Sequence, residues 1–356
     1  MKSMENKKYD KSENKTLSTK RIIFIDVAKG IAIVLMIIGH VLEQGLKRSI
    51  IFSFHMPLYI ITSGFFYKEK SLKEDIKNLI INLLIPTTII LLIVFFINNV
   101  TNLGFVETCK EALKVITVCW SHKNRIDYNF SGTGVLWFVY ILIGIRILFR
   151  LNKKVAKEND LFLFAMVILE TYIGYIVGIK GYWLPWSLDV AFSCMIFYYV
   201  GYIFNKYAVL EKICGNYKII FMVFMIWILG INYNWIELAI RSYPNGLWSY
   251  ITAISGAIII LKISMFIESK LVFLTRILSW CGKNSLYILF GHHIEWSAIK
   301  YDIIIKNKTI HKLVLSLYKC SISIIFAVLI LNFKKLSNKL LKKIKPIKNI
   351  DEVLLK

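Results

Sequence analysis

Residues 24–40 read FIDVAKGIAIVLMIIGH, an apolar stretch with ionisable side chains near both ends. Asp26 and Lys29 are three residues apart, so they can pair on one face of a helix. Lys29 and His40 are eleven residues apart, which is three helical turns plus about 20°, so they share that face about 16 Å apart. The stretch therefore predicts a buried helix that presents a cation near one end and an imidazole near the other.

The composition of the whole chain excludes an ordinary soluble protein. Of its 356 residues, 57% are hydrophobic and 19% are charged, and a soluble fold of this size has no interior for so much apolar surface. The net charge of +23 would suit nucleic acid, but the basic residues crowd into tails and short loops between apolar runs. We therefore expect membrane lipids, and no nucleic acid, as partners. The six cysteines show no CxxC or His/Cys spacing, so we expect neither a disulfide framework nor a metal site.

Apolar runs of the length of a membrane crossing recur along the chain. A hydrocarbon core about 30 Å thick takes about 20 residues of helix, and the pattern predicts an all-α integral membrane protein, a bundle of about ten transmembrane helices. The ninth run is the weakest, because Lys283, Asn284, His292, His293 and Glu295 interrupt it. The ten runs lie near 22–43, 50–67, 79–98, 135–150, 161–179, 188–205, 217–235, 247–266, 282–299 and 313–333.

The distribution of basic residues predicts the orientation. With the N-terminus inside, the inner segments carry about 28 Lys and Arg and the outer segments about 12, which places both termini in the cytoplasm of a plasma-membrane protein. The predicted parts are a basic arm at 1–21, a membrane domain at 22–333 and a basic tail at 334–356 that lies against anionic lipid. No small-residue cleavage site follows the first run, so we expect it to stay as a helix. The outer segment at 99–134 predicts an ordered surface or re-entrant loop beside an outward-facing site.

Ionisable groups inside spanning helices are costly, so each is a candidate functional residue. In GKNSLYILFGHHIE at 282–295, His292 and Glu295 are three residues apart and can form an oriented acid/base pair. So many polar side chains cannot all face lipid, so this helix must line the bundle interior or a wet cavity. In the first helix, Asp26 and Lys29 could instead be interface anchors, and His40 could be a neutral core histidine.

Two further stretches contain candidate ligand contacts. In FHMPLYIITSGFFY at 54–67, His55 lies near the start of a helix, and Ser63 with Gly64 lets a backbone or a thin ligand approach closely. A kinked helix with a small-residue packing notch explains the same pattern. In GTGVLWF at 132–138, Trp137 is either a ligand contact or an ordinary residue of the aromatic belt.

The order of these motifs resembles the acyltransferase-3 membrane proteins that O-acetylate cell-surface polysaccharides, especially the branch of the fucose O-acetylases. The resemblance spans residues 21–295. Its motifs are Asp26-x-x-Lys29-Gly30 leading to Gly39-His40, Phe54-His55-Met56-Pro57-Leu58, Ser63-Gly64, Leu84-Ile85-Pro86, Leu136-Trp137-Phe138, Phe197-Tyr198 through Gly201-Tyr202, and Gly282-Lys283-Asn284-Ser285-Leu286.

The resemblance implies transfer of an acetyl group from cytoplasmic acetyl-CoA, without a metal, to a hydroxyl of a surface glycan or a lipid-linked sugar. The family motif of a basic residue, ten residues and a histidine maps onto Lys29 and His40. Members often carry an Arg pair before the Leu-Ile-Pro motif, but here Asn78 and Asn82 occupy that stretch.

Acyl transfer to a hydroxyl needs a base, donors for the developing oxyanion and a grip on the thioester. An imidazole titrates near neutrality, so His40 is the best base, and Lys29 suits the phosphates of the donor. We therefore predict three sets of residues. The catalytic set is His40, Asp26, His292 and Glu295, the donor set is Lys29, Lys77, Asn78, Asn82 and Ser63, and the acceptor set is His55, Trp137, Asn284 and His293.

A transporter or flippase of a small polar or glycan substrate is the alternative function. Buried His, Lys and Glu also serve proton-coupled carriers, and broken helices line transport sites. The chain has no detectable internal repeat, which counts against this alternative. A purely structural scaffold fits less well, because the predicted helices contain several ionisable groups.

The predicted topology can be tested with reporter fusions. Fusions at residues 10 and 345 should be cytoplasmic, and a fusion at residue 120 should be external, because the basic residues favour the cytoplasmic side. An external reporter at residue 345 would show an odd number of crossings, with the ninth run as the first segment to re-examine.

Overall fold

The computed structural model describes residues 22–121, 132–232, 235–299 and 305–351. Four predicted features lie partly or wholly outside these ranges. They are the basic arm at 1–21, the part of the outer loop at 122–131, residues 233–234 of the seventh predicted run, and the last residues of the basic tail, 352–356.

All regular elements of the described ranges are helical, and the only β-type pairing there is an isolated bridge between Glu237 and Ser242. The predicted all-α class is therefore confirmed. A π-helical turn at Ile80–Leu84 joins the third helix to the fourth. The helices are α1 (Ile23–Gly39), α2 (Leu46–Phe65), α3 (Leu72–Leu79), α4 (Ile85–Leu103), α5 (Phe105–Val118), α6 (Trp137–Ala156), α7 (Asp160–Ile179), α8 (Leu188–Ser193), α9 (Met195–Lys206), α10 (Val209–Gly215), α11 (Tyr217–Asn232), α12 (Trp248–Lys270), α13 (Val272–Lys283), α14 (Ser285–Ala298) and α15 (Lys308–Asp351).

The described helices form a multi-pass membrane bundle. Five of them are long and apolar enough to cross a membrane, and up to seven crossings result if each of two bent pairs counts as one. One pair, α8 and α9, bends by 54°, and the other, α10 and α11, bends by 95°. Each of the ten predicted runs overlaps a helix, but α1 has only 17 residues, fewer than the roughly 20 of a full crossing. The count of about ten stays a prediction.

The ninth predicted run is interrupted. Helix α13 ends at Lys283 and α14 begins at Ser285, with Asn284 at the break in a non-helical conformation (φ −106°, ψ 17°). The amide Nδ2 of Asn284 donates to the Trp280 carbonyl oxygen at 2.9 Å. This bond satisfies one of the carbonyl groups that a helix end leaves open.

The outer segment at 99–134 contains a regular helix where the sequence predicted a loop. Helix α5 is amphipathic, since it buries Thr108, Ala112 and Val115 on one face. Its exposed face pairs Glu107 with Lys110 at 3.0 Å. The turn-forming residues that predicted a loop begin only after this helix. They therefore account for a smaller part of the outer segment than expected.

Glycines allow two helix pairs of the bundle to touch at their backbones. Gly30 of α1 faces the Leu278 carbonyl of α13, and Gly282 of α13 faces the Asp26 carbonyl of α1. Gly64 of α2 likewise lies against the backbone of α9. This is the close backbone approach that the sequence predicted at Gly64. Because no side chain separates these backbones, the rotation and depth of α1 and α2 are fixed within the bundle.

A buried ion pair ties the segment at 235–241 to the bundle. The Arg241 guanidinium donates to both carboxylate oxygens of Asp189, at 2.8 and 3.2 Å, and to Ser187 Oγ at 3.2 Å. It also lies 3.8 Å above the ring of Trp183. Both charged side chains are almost completely buried. Breaking the pair would leave a buried charge without a partner, so the pair holds the segment firmly.

A second ionic cluster ties α3 to α6. Asp75 accepts from Arg150 Nε at 2.9 Å and from Arg146 Nη2 at 3.3 Å. Arg150 also donates to the carbonyl oxygens of Lys68 and Lys70. The connection between α2 and α3 is therefore fixed against α6.

The glycine contacts predict a strong effect of a small substitution. A Cβ at Gly64 would overlap the Tyr198 carbonyl oxygen, so Gly64→Ala should separate α2 from α9 and destabilise the protein by about 1–3 kcal/mol. Thermal unfolding of the purified protein in detergent measures this loss. The matched control is Gly215→Ala, because a Cβ at Gly215 meets no atom within 4 Å. Equal unfolding temperatures for the two variants would contradict the packing argument.

Candidate functional site

A cavity of about 540 Å³ runs along α1 and α2 inside the bundle. We call its two ends the Lys29 end, lined by Lys29, Ser63, Phe66 and Arg146, and the His40 end, lined by His40, Arg48, Glu237 and Trp296. From Arg48 to Phe66 the chain advances about 27 Å at 1.5 Å per helical residue. The cavity therefore extends over most of the thickness of a hydrocarbon core.

His40 follows the last residue of α1 and enters the cavity between aromatic rings. Its ring centroid lies 5.1 Å from that of Trp296, 5.5 Å from that of Phe52 and 5.5 Å from that of His292. The contacts with Trp296 and Phe52 are edge-to-face, and such contacts orient a ring as well as stabilise it. The imidazole is thus held in place while part of it stays open to the cavity.

A buried chain of ionisable groups lies behind His40. His292 Nδ1 is 2.9 Å from Glu295 Oε2, and Lys319 Nζ is 2.8 Å from Glu295 Oε1. His292 and Glu295 have no exposed surface. They form the contact that their spacing allowed, and their role as an acid/base pair stays a prediction. A carboxylate accepts hydrogen bonds, so Nδ1 of His292 is the donor in a pair with this group. Its Nε2 atom is buried without a hydrogen-bond partner among the described residues.

Four other predicted residues line the cavity. Lys29 and Ser63 lie toward the Lys29 end, and the Lys29 carbonyl oxygen accepts from Tyr59 at 2.7 Å. His55 lies beside Phe52 with ring centroids 4.8 Å apart, and Trp137 also lines the wall. The first helix therefore presents Lys29 and His40 to one cavity, as their spacing predicted.

Besides His292 and Glu295, six predicted site residues lie outside the cavity lining. Asp26 is buried where α1 touches α13. Asn284 lies at the break between α13 and α14, and its amide donates to the Trp280 carbonyl oxygen. Asn82 donates to the Asn78 carbonyl oxygen at 3.0 Å, and Lys77 is exposed. Their functional roles stay predictions. The six residues are Asp26, Lys77, Asn78, Asn82, Asn284 and His293.

Sequence reasoning missed four charged residues of the site. Arg146 and Lys319 lie inside predicted apolar runs, so the rule that singled out His40 would also have found them. Arg48 and Glu237 lie near the ends of runs, where charged residues are ordinary, and no spacing marks them. Arg146 places a guanidinium at the Lys29 end of the cavity, where the sequence had placed only Lys29 and α3.

Glu237 belongs to the segment that closes the His40 end. Burial raises the pKa of its carboxyl group above the ordinary value, although a hydrogen bond from Trp235 Nε1 at 3.2 Å and the charge of Arg48 act in the opposite direction. A carboxyl group of this kind accepts hydrogen bonds when ionised and can donate one when neutral.

The arrangement supports chemistry at one end and anion binding at the other. A partly exposed imidazole backed by a buried carboxylate suits proton transfer from a hydroxyl. Two cations at the Lys29 end suit the phosphates of a ligand whose slender part follows the cavity. Within the described residues, no group of His, Cys, Asp or Glu converges to hold a metal ion.

One comparison with known proteins found a match. The family model described as an acyltransferase domain, of the acyltransferase-3 type, matches residues 22–332, which is most of the chain. A search of curated proteins found no significant match.

The buried chain behind His40 predicts different effects for two lysines of α15. Lys319→Met leaves the Glu295 carboxylate buried without its cation, so we expect a loss of about 3–5 kcal/mol in unfolding free energy. The matched control is Lys312→Met, which removes the 2.9 Å pair with the largely exposed Glu43 and should cost at most about 1 kcal/mol. Thermal unfolding in detergent measures both, and the double variant Lys319→Met with Glu295→Gln should recover part of the loss. Equal losses for the two single variants would contradict the assigned pairing.

Proposed function

This chain belongs to the acyltransferase-3 family of membrane acyltransferases, and we propose that it acetylates a glycan. On this proposal, an acetyl group moves from cytoplasmic acetyl-CoA to a hydroxyl of a cell-surface polysaccharide or of its lipid-linked precursor. One observation carries the proposal: a single cavity joins the basic Lys29 end to the His40 end.

The Lys29 end has the properties that an acyl-CoA requires. Coenzyme A combines phosphates with a long, thin arm, and Lys29 and Arg146 supply two cations at the cavity wall. Beyond them, Tyr59, Phe138 and Leu142 provide largely apolar walls toward His40. Arg146 also compensates for the Asn residues that replace the expected Arg pair near Pro86, since it brings a guanidinium to this end from α6.

His40 is the proposed general base. It takes the proton of the acceptor hydroxyl as the oxygen attacks the thioester carbonyl, a C–O bond forms and the C–S bond breaks. The proton then passes to the departing sulfur, so no net charge is left on the protein. A positioned base of this kind typically contributes about 100- to 10,000-fold in rate.

The groups behind His40 hold its neighbouring ring in place. Glu295 bonds Nδ1 of His292, and the His292 ring packs beside the His40 ring. Groups fixed in this way need no reorganisation during the reaction. Lys319 pairs with Glu295 and balances its charge.

The proposed orientation in the plasma membrane follows the basic residues. Both termini lie in the cytoplasm, so the Lys29 end faces the cytoplasmic donor. The His40 end then faces the outer surface, where the growing glycan is found. The length of the cavity relative to the hydrocarbon core supports acyl transfer across the membrane.

The proposal is tested by His40→Ala in the full-length protein. Mass spectrometry of surface glycans should detect acetyl groups with the wild-type protein and none with the variant. In proteoliposomes supplied with membrane glycans, release of free CoA should fall about 100-fold or more.

The matched control is His311→Ala, because His311 lies near the start of α15 and outside the cavity lining. It should retain the wild-type rate. Near-wild-type CoA release by His40→Ala would show that His40 is structural. Glycan movement across the bilayer without any acetyl transfer would favour the flippase alternative.

Lys29 should act on the donor more than on the acceptor. Loss of a charge-assisted phosphate contact weakens binding by roughly 10- to 150-fold, so Lys29→Ala should raise the KM for acetyl-CoA by about that factor. Steady-state kinetics measure this change, with Lys29→Arg restoring part of it, because a phosphate requires a cation more than a particular shape. Lys212→Ala, an exposed lysine of α10, is the control.

The competing explanation is that Lys29 only neutralises Asp26. In that case the double variant Asp26→Asn with Lys29→Met would regain activity, because no unpaired charge would be left. Such recovery would rule out the donor-binding role.

A further inference from the structure

Arg48 lies at the His40 end of the cavity and has no role in the steps described above. It belongs to the first turn of α2 and lines the cavity. Its guanidinium carbon lies 4.7 Å from the ring centroid of Phe52, and that ring in turn contacts His40 and His55. The guanidinium is therefore one aromatic ring away from the proposed base.

The hydrogen-bonding capacity of Arg48 is largely unused. Its Nη1 atom donates to the Leu42 carbonyl oxygen at 3.3 Å, and its Nε atom is buried with no hydrogen-bond partner among the described residues. Within those residues, no carboxylate oxygen lies within 4.0 Å of its guanidinium. A guanidinium has five N–H donors, so most of them are available to a ligand.

The other arginines inside the bundle behave differently. Arg146 and Arg150 pair with Asp75, and Arg241 pairs with Asp189. An arginine kept partly buried without an anion is costly. Among the described residues, Arg48 has no ion-pair partner within 4.0 Å, and the Glu237 carboxyl acts on it only from a longer distance, so its guanidinium is left for an anionic group of a ligand.

We propose that Arg48 binds an acidic group of the acyl acceptor, so that the acetylated hydroxyl belongs to a sugar unit bearing a carboxylate or a phosphate. This rests on the proposed function and names its acceptor class. A guanidinium fork matches the two oxygens of a carboxylate or phosphate. The ring of Trp296 lines the same end of the cavity and offers an aromatic surface on which a sugar ring can pack.

Glu237 shares the His40 end and has to be reconciled with an anionic ligand. Its carboxylate would repel the acid, but it is anchored by Trp235 and burial favours its neutral form. As a lining residue of the same cavity end, it can exchange hydrogen bonds with sugar hydroxyls. Arg48 then receives the acidic group, and Glu237 the neutral part of the ring.

The test is equilibrium binding of three sugars to the purified full-length protein without acetyl-CoA. The probes are glucuronate, which carries a carboxylate, glucose 1-phosphate, which carries a phosphate, and glucose, which carries neither. Isothermal titration calorimetry should show that at least one acidic sugar binds roughly 10- to 100-fold more tightly than glucose. The tighter of the two acids identifies the source of the charge.

Variants assign the preference to Arg48. Arg48→Gln should abolish the difference between acidic and neutral sugars, and Arg48→Lys should retain part of it. The matched control is Lys47→Gln, which removes an exposed positive charge from the adjacent position of α2 and should leave the preference unchanged. Thermal unfolding of each variant shows that it is folded.

Failure of this inference is separable from failure of acetyl transfer. If CoA release is normal but the acidic sugars bind no better than glucose, or Arg48→Gln keeps the preference, Arg48 is not the acid-binding residue. If the acidic sugars bind through Arg48 but no acetyl group is transferred, the binding site stands and the proposed reaction falls. An effect of Lys47→Gln equal to that of Arg48→Gln would indicate general attraction to a basic surface and would overturn the inference.

Discussion

The ion pair between Lys319 and Glu295 is the interaction on which the His40 end of the cavity depends. Burying a carboxylate in an apolar bundle is costly unless a cation and hydrogen-bond donors lie beside it. Lys319 of α15 supplies that cation at 2.8 Å, and the second carboxylate oxygen holds His292 at 2.9 Å. His292 then packs against His40. The pairing therefore links α15, α14 and α1 and sets the environment of the imidazole.

The two ends of the cavity are maintained by two further ionic clusters. Asp75 fixes Arg146 at the Lys29 end, and the Asp189–Arg241 pair fixes the segment that carries Glu237 at the His40 end. Between the ends, the walls are mostly apolar. The cavity thus joins a basic end to an end that carries an imidazole. On the proposed function, this arrangement would hold donor and acceptor together and reduce the entropic cost of bringing them together.

Local spacing predicted the parts of the site that lie on single helices. Lys29 and His40 share a face of α1 because an α-helix repeats every 3.6 residues. His292 and Glu295 bond because residues three apart on a helix are neighbours. The donor contacts assigned to α3 rested on a motif in which Asn replaces the expected Arg. In the folded chain, Arg146 of α6 occupies the Lys29 end of the cavity, and Lys77, Asn78 and Asn82 lie outside the lining.

The sequence predicted the all-helical membrane class. An apolar segment in lipid must satisfy its own backbone hydrogen bonds, and a helix does so within the segment. The same physical rule marked His40, His292 and Glu295, since a buried ionisable group is too costly to be incidental. Which groups meet was decided only by the tertiary structure. Lys319 is 24 residues from Glu295 and Arg146 is 71 residues from Asp75, so no local period relates them. Their pairing depends on helices brought together by packing, and backbone contacts such as that of Gly64 with Tyr198 fix that packing.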